Sequence, residues 1–290
     1  MSGPFCTSRD ASITPTACGD LPWSLRIAYC ARLAVARRLA AVRLHHWSYV
    51  SDDPNGDCFR KRRTTWAEIL IPPGNWYLRA QGAFSEVLPL RKWVAWEIEV
   101  ASRLGRKTRI LDDQQGLEMP LIPGQSLDEL LQANLPLTEK LHAVFLSAAA
   151  LRKLHQIAMP AFNDNDKDST WPLSHGDATC RNVIVDAASG TAGWIDFDMR
   201  HRPGLSPLTR QADDLRALLW SSAARLDASA HRNCVAAAID GYAAPEVTRE
   251  VQRLMNGLLC PTVFQLAQAS LAPAEFVGLC EAVRTLTIPP

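Results

Sequence analysis

SHGDATCRNVIVDAASGTAGWIDFD, residues 174–198, is the stretch on which the reading of the chain turns. Asp177 precedes Asn182 on a short segment, and the apolar run Val183–Val185 follows at once. A turn at Ala187–Gly190 leads into a second apolar run that ends at Asp196. A carboxylate on a loop, an amide oxygen at a fixed offset and a second carboxylate returned by a hairpin are the parts that phosphoryl transfer uses. They supply a base for a hydroxyl proton and two oxygen ligands for a hard cation. Asp177 is the expected base, and Asn182 and Asp196 the expected metal ligands. His175 reads as a brace for the loop. Arg181 reads either as a phosphate partner or as a solvated cation. Taken as structure alone, the stretch is a β-hairpin behind a turn, but that leaves the joint placing of Asp177, Asn182 and Asp196 unexplained.

Upstream, Trp47–Gly82 reads as strands. Trp47–Ser51 and the residues from Cys58 onward flank a turn at Pro54-Asn55-Gly56. Trp66–Ile71 and Trp76–Ala80 flank Pro72-Pro73-Gly74-Asn75, a strong turn signal. Two hairpins in series would fold one loop over phosphates and present a cation from the third strand. Gly56 is the one glycine in that first loop, where several backbone N–H groups are wanted. Arg79 is the expected strand cation, with Lys61 of the preceding strand as the alternative. Arg is always charged and grips phosphate as a fork. Arg91–Gly105 reads as a helix whose apolar face is Trp93, Trp96, Val100 and Leu104. Glu97 lies within that face and needs a partner there, whereas Glu99 falls elsewhere. Arg79 and Glu97 are therefore the expected phosphate-positioning pair. Glu97 as an exposed partner of a neighbouring Arg is the other reading.

Met119–Gly124 reads as extended, and Ser126-Leu127-Asp128-Glu129 as a capping box opening a helix over Leu127–Ala133. The backbone at Met119 and Leu121 is where an adenine would hydrogen-bond. Thr138–Gln156 carries apolar residues at helical spacing, with His155 as a satisfied core histidine. Pro160–Thr170 holds Asp164, Asp166 and Asp168 but lacks the Gly and Glu of a calcium loop, so it reads as a plain loop. At the end of the central stretch, Asp198 is a second metal ligand or a helix cap, in a supporting role. Arg200, His201 and Arg202 are either a solvated turn or a contact for an anionic acceptor. Asp213-Asp214-Leu215 opens a further helix. Ala228–Tyr242, Pro245–Leu259 and Pro273–Leu286 are helix candidates without visible chemistry.

Met1–Asp20 has turn formers and no periodicity. Leu21–Trp47 carries Arg26, Arg32, Arg37, Arg38 and Arg43 and no acid. Its stripe Leu25, Ala28, Val35, Leu39 and Val42 has helical spacing, interrupted by Arg32. Such a helix either lies on an anionic membrane surface or partner, or packs as a solvated helix on the small lobe; a presequence is a third reading. The whole chain of 290 residues has a net charge of +1, which argues against wholesale nucleic-acid binding. Its 8 cysteines include no CxxC pair and read as thiols of a reducing compartment. No secretory signal stands out, and the uncharged run Leu254–Ala274 is interrupted by Asn256, Pro261, Gln265, Gln268 and Pro273. A cytosolic, unspanned chain is expected.

HGDATCRNVIVD followed by WIDFD resembles the catalytic and metal loops of atypical kinases, which include aminoglycoside phosphotransferases and lipopolysaccharide kinases. The finer similarity is to the lipopolysaccharide (Kdo/heptose) kinases, carried by Tyr77-Leu78-Arg79, by the linker Ile122–Leu127 and by IDFD in place of DFG. It covers roughly Trp66–Ala224. The resemblance implies an α+β, two-lobed protein-kinase-like fold with an extra N-terminal helix. Residues 1–46 would form the lead and basic helix, 47–121 the small nucleotide-binding lobe of antiparallel strands, and 122–290 the larger helical lobe. It implies an ATP- and Mg²⁺-dependent phosphotransferase acting on a hydroxyl of a sugar or small polar acceptor, in the cytoplasm or at the inner face of a bacterial inner membrane. A lipopolysaccharide core sugar is one such acceptor. A protein Ser/Thr kinase and a pseudokinase scaffold stay open beside it.

Overall fold

The structure, a computed structural model, describes residues 23–41, 48–52, 58–63, 65–111, 116–160, 170–256, 261–269 and 271–286. The Pro54-Asn55-Gly56 turn, the lead Met1–Asp20 and the acids Asp164, Asp166 and Asp168 lie outside the described residues.

Phe59, Lys61 and Arg63 alternate with Arg60 and Arg62, the period of a strand with one face turned inward. This is β2 (Cys58–Arg63), which pairs antiparallel with β1 (Ser48–Asp52). On its other side it pairs with β5 (Gly116–Pro120), and β5 pairs with β4 (Arg109–Ile110). The sheet order is thus β1-β2-β5-β4.

The second expected hairpin is a helix instead, α2 (Thr65–Ala80), which runs through Pro72 and Pro73. Two prolines remove backbone donors and weaken a helix on their own. Tertiary contacts hold this one. Glu68 accepts from the Leu90 backbone N–H at 2.8 Å, and the Asn75 amide both donates to and accepts from Val87. Ile71 of this helix is buried. The chain then forms β3 (Ser85–Val87) and α3 (Leu90–Arg103), whose buried residues include Trp93, Trp96, Glu97 and Val100, the face read from the sequence. Glu99 pairs instead with Arg103 at 2.9 Å on the surface.

Past the sheet, Gly124 takes φ +120°, and a Cβ there would lie 2.4 Å from the Val185 carbonyl oxygen. Only glycine permits that approach, and it lets β6 (Gln125–Ser126) pair with β9 (Val183–Asp186). Ser126 and Glu129 form the expected capping box of α4 (Leu127–Gln132). α5 (Leu137–His155) follows, then β7 (Ala158–Pro160) pairs with β8 (Thr170–Pro172). β9 pairs with β10 (Thr191–Trp194), and β11 (Met199–His201) pairs back to β3.

The remaining chain is helical: α6 (Pro207–Ala223), α7 (His231–Tyr242), α8 (Pro245–Asn256), α9 (Val263–Gln268) and α10 (Pro273–Arg284). α6 begins well before Asp213, at a proline in its first turn behind the cap Ser206. Every residue from Ala212 to Ala223 is buried, so α6 is the central helix of this part. α9 had no expected counterpart. α1 (Trp23–Ala41) packs on α9; among the described residues it makes no comparable contact with β2, where a helix on the small lobe was expected. Among its described side chains Tyr29, Leu33 and Ala36 are buried, while Val35 of the expected stripe is exposed. Tyr29 Oη donates to the Leu271 carbonyl at 2.9 Å, and Arg32 donates to the Pro261 carbonyl at 3.1 Å.

The architecture is mixed α+β with small antiparallel sheets. Among the described residues no helix is long and apolar enough to cross a membrane. Cys58, Cys180, Cys234 and Cys280 are free thiols.

Candidate functional site

The hairpin explains how distant residues meet. The β9–β10 register pairs Val183 with Trp194, and the Ile195 N–H donates to the Asn182 carbonyl at 2.9 Å. Asn182 and Asp196 therefore leave the same end of the hairpin. Asp196 takes φ +65°, a left-handed conformation that Asp tolerates better than most residues. Asn182 sits at the end of a 3₁₀ turn, Cys180–Asn182. Its amide nitrogen donates to the Asp177 carbonyl at 2.8 Å and to Asp177 Oδ2 at 3.2 Å. That leaves the amide oxygen as the end for a cation.

Asp177 is carried on a turn that α6 holds from below. Asp214 Oδ2 accepts the His175 N–H at 2.7 Å, and Oδ1 accepts the Gly176 N–H at 2.8 Å. His155 contacts the same carboxylate at 3.0 Å and Tyr242 Oη at 2.7 Å, so it is the satisfied core histidine expected. Burial acts to raise the Asp214 pKa, but charge from His201 and the hydrogen bond and charge of His155 outweigh it and hold it at about 2. Burial lowers that of His155. His175 Nε2 donates to the Ile195 carbonyl at 2.8 Å while Nδ1 accepts the Asp177 N–H at 3.3 Å. One neutral tautomer makes both bonds, and the ring lies against Phe197 and Trp194. The expected brace is present. Gly176 has φ +82°, and a Cβ there would lie 2.9 Å from the Arg200 backbone.

On the opposite side, the structure replaces Arg79 with Lys61. Arg79 lies on α2, its side chain is 59% exposed, and it pairs with Glu86 at 3.2 Å. Strand-to-helix pairing of Arg79 with Glu97 does not occur: residues 76–80 are helical, and Arg79 is paired with Glu86. Lys61 is buried, 3.3 Å from Glu97 Oε2, 2.5 Å from Asp196 Oδ1 and 2.6 Å from Asp198 Oδ1. Burial works to lower its pKa, and the three carboxylates overcome that and hold it above its ordinary value. Burial likewise opposes ionisation of Asp196, yet Lys61 keeps its pKa below the usual carboxylate range. Burial and repulsion from Asp196 lift Asp198 to about 6.

Glu97 is fixed on three sides. It accepts from Trp93 Nε1, from Lys61 and, at 3.4 Å, from the Phe197 N–H. Arg63, two residues along β2 and hence on the same face as Lys61, lies over the Trp93 ring and 3.4 Å from Asp198. The period of two along β2 is the signal that puts Lys61 and Arg63 on one face. Arg200 pairs with Glu86 at 3.0 Å, and His201 is buried between Ser174 and Asp213. Met119 is paired with Phe59, and β4 reaches only Glu118. Beyond Glu118 that edge of β5 carries no strand among the described residues, and Leu121 just past it is exposed.

The donor set is made of hard oxygens. Among the described residues no cluster of three or more His, Cys, Asp and Glu side chains forms an all-protein metal cage. One carboxylate and one amide oxygen fit a cation that takes its other ligands from phosphate and water, the habit of Mg²⁺. Asp196 is 41% exposed at its side chain, so such a cation can reach it.

Asp177 also has a partner that no local pattern announces. Gln268 of α9 donates from Nε2 to Asp177 Oδ1 at 2.7 Å. Burial raises the Asp177 pKa, and this hydrogen bond works against the rise. The arrangement can accept a proton at Asp177, hold a hard cation between Asn182 and Asp196, and present a buried ammonium to an anion. Neither a protein-family model nor a curated protein matches the chain.

Proposed function

We propose that the chain is an ATP- and Mg²⁺-dependent phosphotransferase on a two-lobed kinase-like fold, transferring the γ-phosphoryl group to a hydroxyl of a sugar or other small polar acceptor. The observation that carries the reading is the convergence of Asp177, Asn182 and Asp196 with the buried Lys61–Glu97 pair. Residues 47–121 would act as the nucleotide-binding lobe and 122–290 as the catalytic lobe, with 1–46 appended. Asn182 Oδ1 and the Asp196 carboxylate would hold Mg²⁺, which neutralises triphosphate charge when bound. Lys61 positions the phosphates, and Glu97 fixes Lys61 from behind. The edge of β5 at Met119 and Leu121 offers backbone groups for the adenine.

Asp177 accepts the proton of the acceptor hydroxyl as its oxygen bonds to the γ-phosphorus. The bond from that phosphorus to the β–γ bridging oxygen breaks, and ADP leaves with the electron pair. Asn182, donating to Asp177, sets the rotamer of the base. The rigid support from Asp214 and His175 keeps it there, which is where a reaction governed by positioning gains most.

Thermal unfolding with Mg·ATP is the first test. Ligand at about 100 times its Kd stabilises by about 2.7 kcal/mol. Asp177→Asn should keep that stabilisation and lose transfer in a screen across sugars, lipopolysaccharide fragments and aminoglycosides. No stabilisation of the wild type at millimolar Mg·ATP overturns the reading.

A further inference from the structure

We propose that Gln268 reserves Asp177 for a tethered acceptor and denies it to water, making it a determinant of acceptor-over-water specificity; this rests on the phosphotransferase reading above. Asp177 has two carboxylate oxygens, and both are engaged. Oδ2 accepts from Asn182 at 3.2 Å, and Oδ1 accepts from the Gln268 amide at 2.7 Å. The Gln268 N–H thus occupies the position that an acceptor O–H takes immediately before it gives up its proton.

The backbone around Gln268 is pinned on both sides. Arg32 donates to the Pro261 carbonyl, Trp220 Nε1 donates to the Ala269 carbonyl at 3.1 Å, and Tyr29 Oη donates to the Leu271 carbonyl. Thr262 and Gln265 close a capping box at the start of α9. Release of Asp177 therefore takes a rotamer change of one side chain, not departure of the helix. The same amide leaves its oxygen buried with no hydrogen-bond partner. An orphaned acceptor is costly, so the closed rotamer is one that gains a hydrogen bond on leaving.

A lone water must displace a tethered amide with no other contact in its favour. A polyhydroxylated acceptor brings further contacts and can spend them on the displacement. The suppressed side reaction is hydrolysis: the water oxygen bonds to the γ-phosphorus, its proton goes to Asp177, and the β–γ bridging bond breaks to release ADP and inorganic phosphate. Gln268 is a positioning residue in this scheme, acting through Asp177.

The test uses Gln268→Met, which keeps the stem and removes the amide, and Gln268→Ala, which repeats it should methionine disturb α9. ADP release from Mg·ATP without acceptor should rise about tenfold, the worth of one hydrogen bond to a charged group. KM for Mg·ATP should stay unchanged, and Asp177→Asn in the same background should erase the gain. In nucleotide-free protein, the ¹⁵N–¹H resonances of the Gln268 side-chain amide should shift on Asp177→Asn. An unmoved amide resonance, or an unchanged or lower hydrolysis rate with nucleotide stabilisation intact, overturns this proposal and spares the phosphotransferase reading. Absent nucleotide stabilisation in the wild type overturns both.

Discussion

Replacing Lys61 by methionine separates the observed site from the one expected around Arg79. Lys61 Nζ is shared by Glu97, Asp196 and Asp198 at 3.3, 2.5 and 2.6 Å, and its side chain is 3% exposed. Methionine retains the stem that packs toward Trp93 and removes the charge, so three carboxylates lose their common cation. Breaking a buried ion pair from one side costs about 3–5 kcal/mol. The Asp196 and Asp198 side chains are 41% and 24% exposed, so water recovers part of their solvation. The lower end, about 3 kcal/mol, is the expected loss. Arg79→Met touches an exposed pair with Glu86 and should cost under about 1 kcal/mol. Urea unfolding at neutral pH, with equal m-values required, measures both. Adding Asp198→Asn to Lys61→Met should restore part of the loss, because it removes one of the crowded acids, the one whose ionisation burial and Asp196 already oppose. The Mg·ATP-dependent stabilisation should vanish in Lys61→Met and survive in Arg79→Met. A Lys61→Met cost below about 1 kcal/mol, or an equal cost for Arg79→Met, would refute the assignment of Lys61 as the hub of the acids.

Gly176→Ala should destabilise the fold by about 3 kcal/mol, combining the left-handed penalty with overpacking against the Arg200 backbone, as read by thermal melts. The acid limb of stability should change in Asp214→Asn. The folded pKa of Asp214 is depressed to about 2 against about 3.9 unfolded, so its contribution is present above pH 4 and is lost as pH falls toward 2. That contribution is roughly 2–3 kcal/mol. The variant's unfolding free energy should therefore be lower at neutral pH and flatter between pH 5 and pH 2. A parallel pH curve would rule out Asp214 as the acid-sensitive group.

The half of the site built on the Asp177 turn and the β9–β10 hairpin was legible because its geometry is local. Asp177, Asn182 and Asp196 lie on one turn and one hairpin, and the register of that hairpin follows from its apolar alternation. The capping box at Ser126 and the buried face around Glu97 were legible for the same reason. α2 was not, because Pro72-Pro73-Gly74 is a turn signal locally and only the tertiary anchors of Glu68 and Asn75 override it. That error carried Arg79 into the place of Lys61. β2 puts Lys61 and Arg63 on one face by its period of two, but its four consecutive cations do not say in sequence which pair faces inward. Gln268 was illegible in principle: it reaches Asp177 across 91 positions, and no local pattern encodes such a meeting.

The contact between Tyr29 and the Leu271 carbonyl spans 242 positions. On a ribosome adding about 5–20 residues per second, α1 emerges roughly 12–50 s before its partner exists. During that interval Tyr29, Leu33 and Ala36 have nothing to cover them. This helix is thus made early and docks late, so α9, whose Gln268 meets Asp177, is locked by Tyr29 and Arg32 only once it has itself been synthesised. Slowing translation lengthens the exposure of an arginine-rich helix with a bare apolar side, a substrate for holding chaperones until the last segment arrives.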